Sequence, residues 1–479
     1  MKILLVGAEA VPFISTGGLG DVLGSLPQAI ATADSTTDVR VVLPLYKKIK
    51  EKYSKQLEYV GNTTVQLSWR NQYCGVFKCD FGGVTYYFID NEYYFKRESV
   101  YGDYDDAERF AFFGKAVLDI MPIIEFYPDV MHTNDWQSAM SVIYLKRKYF
   151  NLPYYKDIKT LYTIHNIDYQ GIFSMSILGD VFGLDAFGDS SIVEYNGNIN
   201  LTKGALVCTD MISTVSQRYA KEIQTEFFSS GLHYVLHLYS GKLTGIVNGI
   251  DVNYYDPSQD EVIAQKFSAD DLSGKVECKR QLQEMCGLEQ SPDVPVVSMI
   301  SRLASHKGFD LVKYILPEIL DLGVQFVLLG TGEYELEEYF KSIQKQYPKQ
   351  VKIFLEFNKD LSKKIYAGSD IFLMPSKSEP CGLSQMISSR YGAIPVVREA
   401  GGLYDTIKPY NIYNGEGNGF TFANYNAHEM KDAVKRAVDL FKDKEKWERL
   451  LINVMNVDFS WSVSAKKYIS LYRDISKKY

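Results

Sequence analysis

The sequence predicts an α/β protein built from two doubly wound, Rossmann-like domains. Short apolar runs of strand length alternate with helix-length segments, and the alternation occurs twice along the chain. At 479 residues, with 46% hydrophobic composition, the chain exceeds what one core organises, since single cores stop growing at about 250–300 residues. Glycine-rich or polar clusters follow several of the apolar runs, where open parallel sheets bind ligands.

The first series opens with Lys2 to Gly7 and continues at Val39 to Leu43, with a helical segment from about Gly20 to Ala33 between them. Further runs follow at Tyr86 to Ile89, Val130 to His132, Thr160 to Ile164 and Met211 to Val215, separated by helical patterns such as Ala107 to Ile120 and Ser138 to Tyr149. A second series is expected to start at Leu243 to Val247. It resumes at Val296 to Ile300, Gln325 to Leu329, Val351 to Phe354, Ile371 to Met374 and Ile394 to Val397. Helices are expected between these runs, at Lys307 to Leu320, Gly332 to Gln346, Leu361 to Ala367 and Leu383 to Tyr391. The expected domains are 1–245 and 246–458, joined near Asn248-Gly-Ile-Asp251, followed by a terminal segment, 459–479. Two sheets facing each other would make a cleft.

A formal charge of −7 offers no general attraction to nucleic acid or an anionic membrane, so any phosphate site must rest on local cations. The apolar start is interrupted by Glu9, which makes it too short for a secretory signal, and no run approaches the about 20 residues of a membrane span. Six scattered cysteines suit free thiols in a reducing cytoplasm. Cys74 and Cys79 lack partners at zinc spacing, so no metal site is expected.

Ser15-Thr-Gly-Gly-Leu-Gly-Asp21 follows the first strand and opens a helix. The amides of Gly17 and Gly18 and the helix N-terminus suit a phosphate or a sugar hydroxyl. Gly18, Gly20 and Gly24 imitate a dinucleotide fingerprint, but the last spacing is one residue too long and Asp21 stands where pyrophosphate would come. A glycine turn that merely lets the helix pack is the plainer alternative. Asp103 and Asp105 resemble a metal-binding pair, yet they precede an apolar-periodic segment, where acidic residues favour a helix start.

His132-Thr-Asn-Asp135-Trp136 and Thr163-Ile-His165-Asn166 place Asp135 and His165 at successive strand ends. Arg302 and Lys307 lie beyond another strand, where two cations can neutralise a departing diphosphate without metal. Gly330 and Thr331 offer backbone donors past the next one. After the run ending at Met374, Glu379-Pro-Cys381-Gly382-Leu383 makes a stiff turn into a helix, suited to holding a sugar.

Together these motifs resemble, in order and spacing over nearly the whole chain, the bacterial glycogen synthases and plant starch synthases. The resemblance implies a GT-B glycosyltransferase that moves glucose from ADP-glucose to the non-reducing end of an α-1,4-glucan with retention, needing no metal or other cofactor. It implies that the nucleotide binds the second domain and the acceptor the first. The last segment, around Trp461 to Tyr472, would return to the first domain. By the same resemblance Arg302 and Lys307 hold the diphosphate, and Glu379 contacts the transferred glucose beside Cys381, Gly382 and Leu383. His165 lies near the anomeric carbon, Asp135 beside the sugar, Asn248 near the glucose, and Phe357 against the base. One departure stands out: the family's first motif usually begins with lysine, and here Ser15 occupies that position. A UDP-glucose donor, another acceptor, or a glucan-binding protein with impaired catalysis are the alternatives that this departure keeps open.

Overall fold

The computed structural model describes residues 1–477. The chain divides into two compact units, one comprising Met1–Val215, Ala220–Asn248 and the C-terminal stretch from Trp461, the other Ser216–Tyr219 and Gly249–Ser460.

The first unit is organised on a nine-stranded sheet. Its spatial order is Leu243–Gly245, Met211–Thr214, Lys159–Ile164, Val130–Asn134, Lys2–Val6, Asp38–Pro44, Val84–Asp90, Arg70–Phe81, Glu58–Leu67. The strands through Val84–Asp90 run parallel, and the last two add antiparallel. Val-, Ile- and Leu-rich runs such as Ile3–Val6 are wholly buried because helices cover both faces of a parallel sheet. Lys2–Val6 has Asp38–Pro44 on one side and the later strand Val130–Asn134 on the other, so the winding reverses there. Such a reversal opens a crevice at the strands' carboxyl ends.

One expectation is corrected, and one element went unread. Leu243–Gly245 pairs with Met211–Thr214 and so closes the first sheet instead of starting the second series. The long hairpin Glu58–Leu67 and Arg70–Phe81 gave no apolar run, because much of it is solvent-facing and its sequence mixes Thr, Asn, Gln and Lys with the apolar residues.

The terminal helix Trp461–Ser476 belongs to the first unit, where it packs on the helix Gly18–Ala33. Its Tyr472 hydroxyl meets Nδ1 of the buried His132 at 2.7 Å, and Thr163 Oγ1 lies 2.6 Å from the other ring nitrogen. His132 is therefore a satisfied interior group, and burial pulls its pKa down to about 3.

The second unit carries a six-stranded parallel sheet in the order Val351–Phe354, Gln325–Leu329, Val296–Ile300, Ile371–Met374, Ile394–Arg398, Phe420–Phe422. Winding reverses between Val296–Ile300 and Ile371–Met374, the two strands whose exits carry Arg302, Lys307 and Glu379.

A buried lysine braces that region from behind. Lys275 Nζ donates to the carbonyls of Ala367 (3.0 Å), Ser369 (3.0 Å) and Tyr391 (2.8 Å), at the C-terminal ends of the helices Lys359–Gly368 and Ser384–Arg390. Burial lowers its pKa to about 8. Lys275→Met would strand three carbonyls in the interior, so we expect a loss of about 2–4 kcal/mol in urea-induced unfolding of the full chain. A loss below about 1 kcal/mol, the net value of a single ordinary hydrogen bond, would contradict this bracing role.

Candidate active site

Each unit presents its own cluster of polar groups at its point of reversal. In the first, the chain leaves Lys2–Val6 through Glu9, a buried carboxylate that accepts a hydrogen bond from the Thr16 amide. Burial holds its pKa above the ordinary range. This contact folds the glycine loop back over the strand end. Gly20 and Gly24 serve packing: a Cβ on Gly20 would meet Ser15 Oγ at 2.5 Å, and one on Gly24 would meet the Val11 carbonyl at 2.5 Å. Gly17 and Gly18, by contrast, face open space at the start of the helix Gly18–Ala33. Packing thus accounts for Gly20 and Gly24 but not for Gly17 and Gly18. Ser15 and Asp21 are exposed here, and the Ser15 hydroxyl donates to the Gly17 carbonyl at 3.2 Å.

Across the reversal, Val130–Asn134 ends at Asp135, which caps the helix Trp136–Tyr144 with φ +56° and ψ 177°. A non-glycine residue rarely adopts that conformation, at a cost of about 1–3 kcal/mol. Part of what holds it is the carboxylate, whose Oδ1 accepts from the His165 amide at 2.8 Å, and its own amide, which donates to the Thr163 carbonyl at 3.0 Å. The Asp135 pKa is raised to about 7, mainly by burial and further by the Glu9 charge.

His165 Nε2 lies 2.9 Å from Asn134 Oδ1. Asn134 Nδ2 donates to the Val6 and His132 carbonyls, so its oxygen is the acceptor and the His165 proton resides on Nε2. Burial depresses the His165 pKa to about 3, leaving a neutral imidazole at ordinary pH. Asn248, at the end of this unit, is buried, and its side-chain oxygen has no hydrogen-bond partner among the described residues. A buried unpaired carbonyl is costly, which suits a group awaiting a ligand donor.

In the second unit the α-helix starts at Phe309 and so leaves out Lys307, where the expected helix began. Lys307 ends a short 3₁₀ turn, Ser305–Lys307, and Gly308 in the left-handed region (φ +82°) separates it from the helix Phe309–Leu320. A side chain at 308 would strike the Pro375 carbonyl at 2.2 Å. That close approach carries Lys307 Nζ to both Glu379 oxygens, at 2.8 and 3.0 Å. Ser376 Oγ donates to the same carboxylate at 2.9 Å. Arg302 is exposed on the same strand exit.

Gly330 and Gly332 let the next loop lie on this one. A Cβ at 330 would sit 1.8 Å from the Ser301 carbonyl, and Leu303 bridges to Gly332. Thr331 stands exposed between them. Phe357, past the Val351–Phe354 strand, is 85% exposed, a large apolar ring held in water. Cys381 is buried, Gly382 turns at φ +73°, and Leu383 caps the helix Ser384–Arg390. Asp103 and Asp105 pair with Arg97 and Arg109 at the start of the helix Asp106–Asp119, in agreement with the helix-start reading.

Sequence reasoning passed over Gly401 and Gly402. The Gly402 amide donates to the Glu379 carbonyl at 3.0 Å, and a Cβ at 401 would meet that carbonyl at 1.9 Å. They follow the strand Ile394–Arg398 and open the helix Gly401–Thr406, so the strand-end argument would have found them. Glu9 and Asn134 were also missed. Nothing local marks either one, since their importance lies in contacts with Thr16 and His165.

Comparison with known proteins places these clusters in a family context. Residues 2–238 match the model of the starch synthase catalytic domain, and 287–450 that of glycosyl transferases group 1. A glycogen synthase from Clostridioides difficile (strain 630) is 48% identical over 480 residues, covering 99% of this chain and all of that protein. One from Bacillus cereus (strain ATCC 10987 / NRS 248) is 46% identical over 476 residues, covering 99% of this chain and all of the relative. The solved catalytic domain of starch synthase IV from Arabidopsis thaliana, bound to ADP and acarbose, superposes with a TM-score of 0.89 at 33% identity, covering 99% of each chain. Sucrose-phosphate synthase from Thermosynechococcus elongatus shares the fold, with a TM-score of 0.60 at 14% identity over 99% and 98% of the two chains.

Proposed function

Because the chain belongs to the glycogen synthase and starch synthase family of GT-B glycosyltransferases, we propose that it transfers glucose from ADP-glucose to the non-reducing end of an α-1,4-glucan, with retention. The observation that carries this reading furthest is the Lys307–Glu379 pair at the reversal of the second sheet. It sets a cation for a diphosphate beside a carboxylate for a sugar.

The second unit takes the nucleotide sugar. Arg302 and Lys307 bind the diphosphate, the amides of Gly330 and Thr331 add donors, and Phe357 offers its face to the base. Glu379 orients the glucose hydroxyls and, in the absence of donor, holds Lys307 in place. Cys381, Gly382 and Leu383 shape the turn. The first unit takes the glucan and adds groups for the donor: Ser15, Gly17, Gly18 and Asp21 of the glycine loop and Asn248 bind the nucleotide sugar, with Asp135 and His165 beside the transferred glucose.

The reaction builds positive charge at the anomeric carbon and negative charge on the departing diphosphate. A neutral His165 does not repel that positive charge, whereas an imidazolium would, so the lowered pKa serves the reaction. The diphosphate oxygen that leaves accepts the acceptor hydroxyl's proton on the same face. The glucosyl bond to phosphate breaks as the bond to the acceptor oxygen forms, which yields retention. Ser15 supplies no charge, so Arg302 and Lys307 carry the electrostatic load.

No helix among the described residues is long and apolar enough to cross a membrane, and all six cysteines are free thiols. Both fit work in the cytoplasm. The deciding assay is nucleotide release from ADP-glucose and UDP-glucose with glycogen present. Glycogen-dependent ADP release, exceeding UDP release about tenfold or more, is expected. Glycogen binding without release of either nucleotide would favour a glucan-binding protein instead.

A further inference from the structure

The turn that follows Glu379 is shaped by a buried glutamine to which the reaction above assigns no part. Gln385 belongs to the helix Ser384–Arg390 and is fully buried. Its Nε2 donates to the carbonyls of Cys381 (3.1 Å) and Gly382 (3.0 Å) and to Thr406 Oγ1 (3.1 Å). A carbonyl can only accept, so the nitrogen of the side-chain amide, and not its oxygen, faces these groups. Thr406 Oγ1 donates in turn to the Gly402 carbonyl at 2.6 Å, and the Gly402 amide to the Glu379 carbonyl at 3.0 Å. The glutamine thus joins the turn to the short helix Gly401–Thr406, which is itself bonded to Glu379.

The direction of these carbonyls fixes where the neighbouring amides point. In a trans peptide C=O and N–H are antiparallel. With the Cys381 and Gly382 carbonyls drawn to Gln385, the N–H groups of Gly382 and Leu383 are aimed away from it. Gly382 and Leu383 are half-buried, and neither amide donates to a protein group among the described residues. A glycine reorients its peptides at little steric cost, and Gly382, at φ +73°, has no side chain to prevent it. The same missing side chain admits the glutamine, since a Cβ at 382 would meet Gln385 Oε1 at 2.5 Å.

Packing alone does not account for a glutamine here. Gln385 Oε1 is buried without a hydrogen-bond partner among the described residues, an arrangement that costs stability. Were the two peptides reversed, their carbonyls would need no donor from this side, and a methionine of similar shape would fill the space without that cost. What the glutamine secures is the orientation of two amides on the turn whose carboxylate holds Lys307.

We propose that Gln385 is a positioning residue for donor binding: it locks the Cys381–Gly382 and Gly382–Leu383 peptides so that both amides present N–H groups to oxygens of the nucleotide sugar. The inference rests on the ADP-glucose reading above, which gives this turn to the donor. Gln385 itself touches no substrate. It acts through the backbone, so its loss weakens the donor and leaves the acceptor alone.

The test uses Gln385→Met, which keeps the shape and removes the donor, and Gln385→Glu as the conservative variant. Buried among carbonyls, the glutamate stays protonated, and its O–H can still donate one hydrogen bond. KM for ADP-glucose is expected to rise about tenfold to hundredfold in Gln385→Met, the worth of a hydrogen bond to a charged group, and less in Gln385→Glu. KM for glycogen should stay unchanged in both. Gln283→Met controls for lost stability. Gln283 is another buried amide of the second unit, bonded to the Ser291 carbonyl and Gln325 Oε1 (both 2.9 Å) where the strand Gln325–Leu329 begins, at the end opposite its exit. Its loss should lower the melting temperature and leave KM for ADP-glucose as in wild type. An unchanged KM for ADP-glucose in Gln385→Met would overturn the proposal, as would an equal rise for glycogen or an equal rise in Gln283→Met. Should Gln385→Met fail to fold, Gln385→Glu decides in its place by the same outcomes. If wild type released no nucleotide, it is the proposed activity that would fall. Calorimetric titration with ADP would then test Gln385 directly: a Kd raised by a similar factor in Gln385→Met is expected, and equal binding, or no binding to wild type, would overturn its role.

Discussion

Arg302→Ala and Lys307→Ala should each lower kcat by about 10²–10³, the scale found when one donor to a developing negative charge is removed. The two variants should differ in stability, which separates a chemical role from a structural one. Arg302 is exposed, so its loss should leave the melting temperature unchanged. Lys307 is bonded to both oxygens of the buried Glu379, and its removal leaves that carboxylate with Ser376 as its remaining side-chain donor among the described residues. Lys307→Ala should therefore also melt earlier, because an unpaired buried charge is costly. Adding Glu379→Gln should restore much of the melting temperature but none of the turnover. Near-normal turnover in both single variants would remove the diphosphate assignment. The measurements are steady-state ADP release and thermal unfolding of the full chain.

Asp135→Asn is expected to have the second-largest effect, a fall in kcat of about 10²-fold together with a changed pH profile, because its carboxylate beside the sugar faces the positive charge that develops at the anomeric carbon. Asparagine keeps an oxygen to accept from the His165 amide, so the strand-end geometry should survive. What disappears is an ionisation near pH 7. Wild type should show an inflection in kcat/KM near that pH, and the variant should lack it. The linked effect on stability has a definite sign. The folded-state pKa lies above the ordinary value of 3.8, so between about pH 4 and 7 the folded chain holds a proton that the unfolded chain has lost. Stability from this group is present below that window and declines as pH rises through it. The melting temperature of wild type should accordingly fall more than that of Asp135→Asn between pH 5 and pH 8. Equal falls would contradict the raised pKa.

Much of the architecture was legible in the chain because parallel strands buried on both faces must be apolar along their whole length, as Ile3–Val6 and Ile371–Leu373 are. The same logic located Arg302, Lys307, Glu379, Asp135 and His165, since polar residues directly after such runs fall at strand exits. It failed for the hairpin Glu58–Leu67 and Arg70–Phe81, where a solvated face removes the apolar signature. It failed again at Leu243–Gly245, because a short run carries no information about which sheet it will join.

The sequence by itself determined the alternation of strands and helices, the family, and which residue types stand at the strand ends. The tertiary structure decided what those residues are chemically. Asp135 titrates near 7 and His165 is neutral because burial penalises their charged forms, and burial is a property of the packed fold. Lys307 reaches Glu379, 72 positions away, because Gly308 admits the Pro375 carbonyl and the sheet sets their two strands side by side. Ser15 carries no charge where the family resemblance leads one to expect a lysine. The course of its loop is set by Glu9, whose carboxylate reaches the Thr16 amide only once the chain has turned back on the first strand.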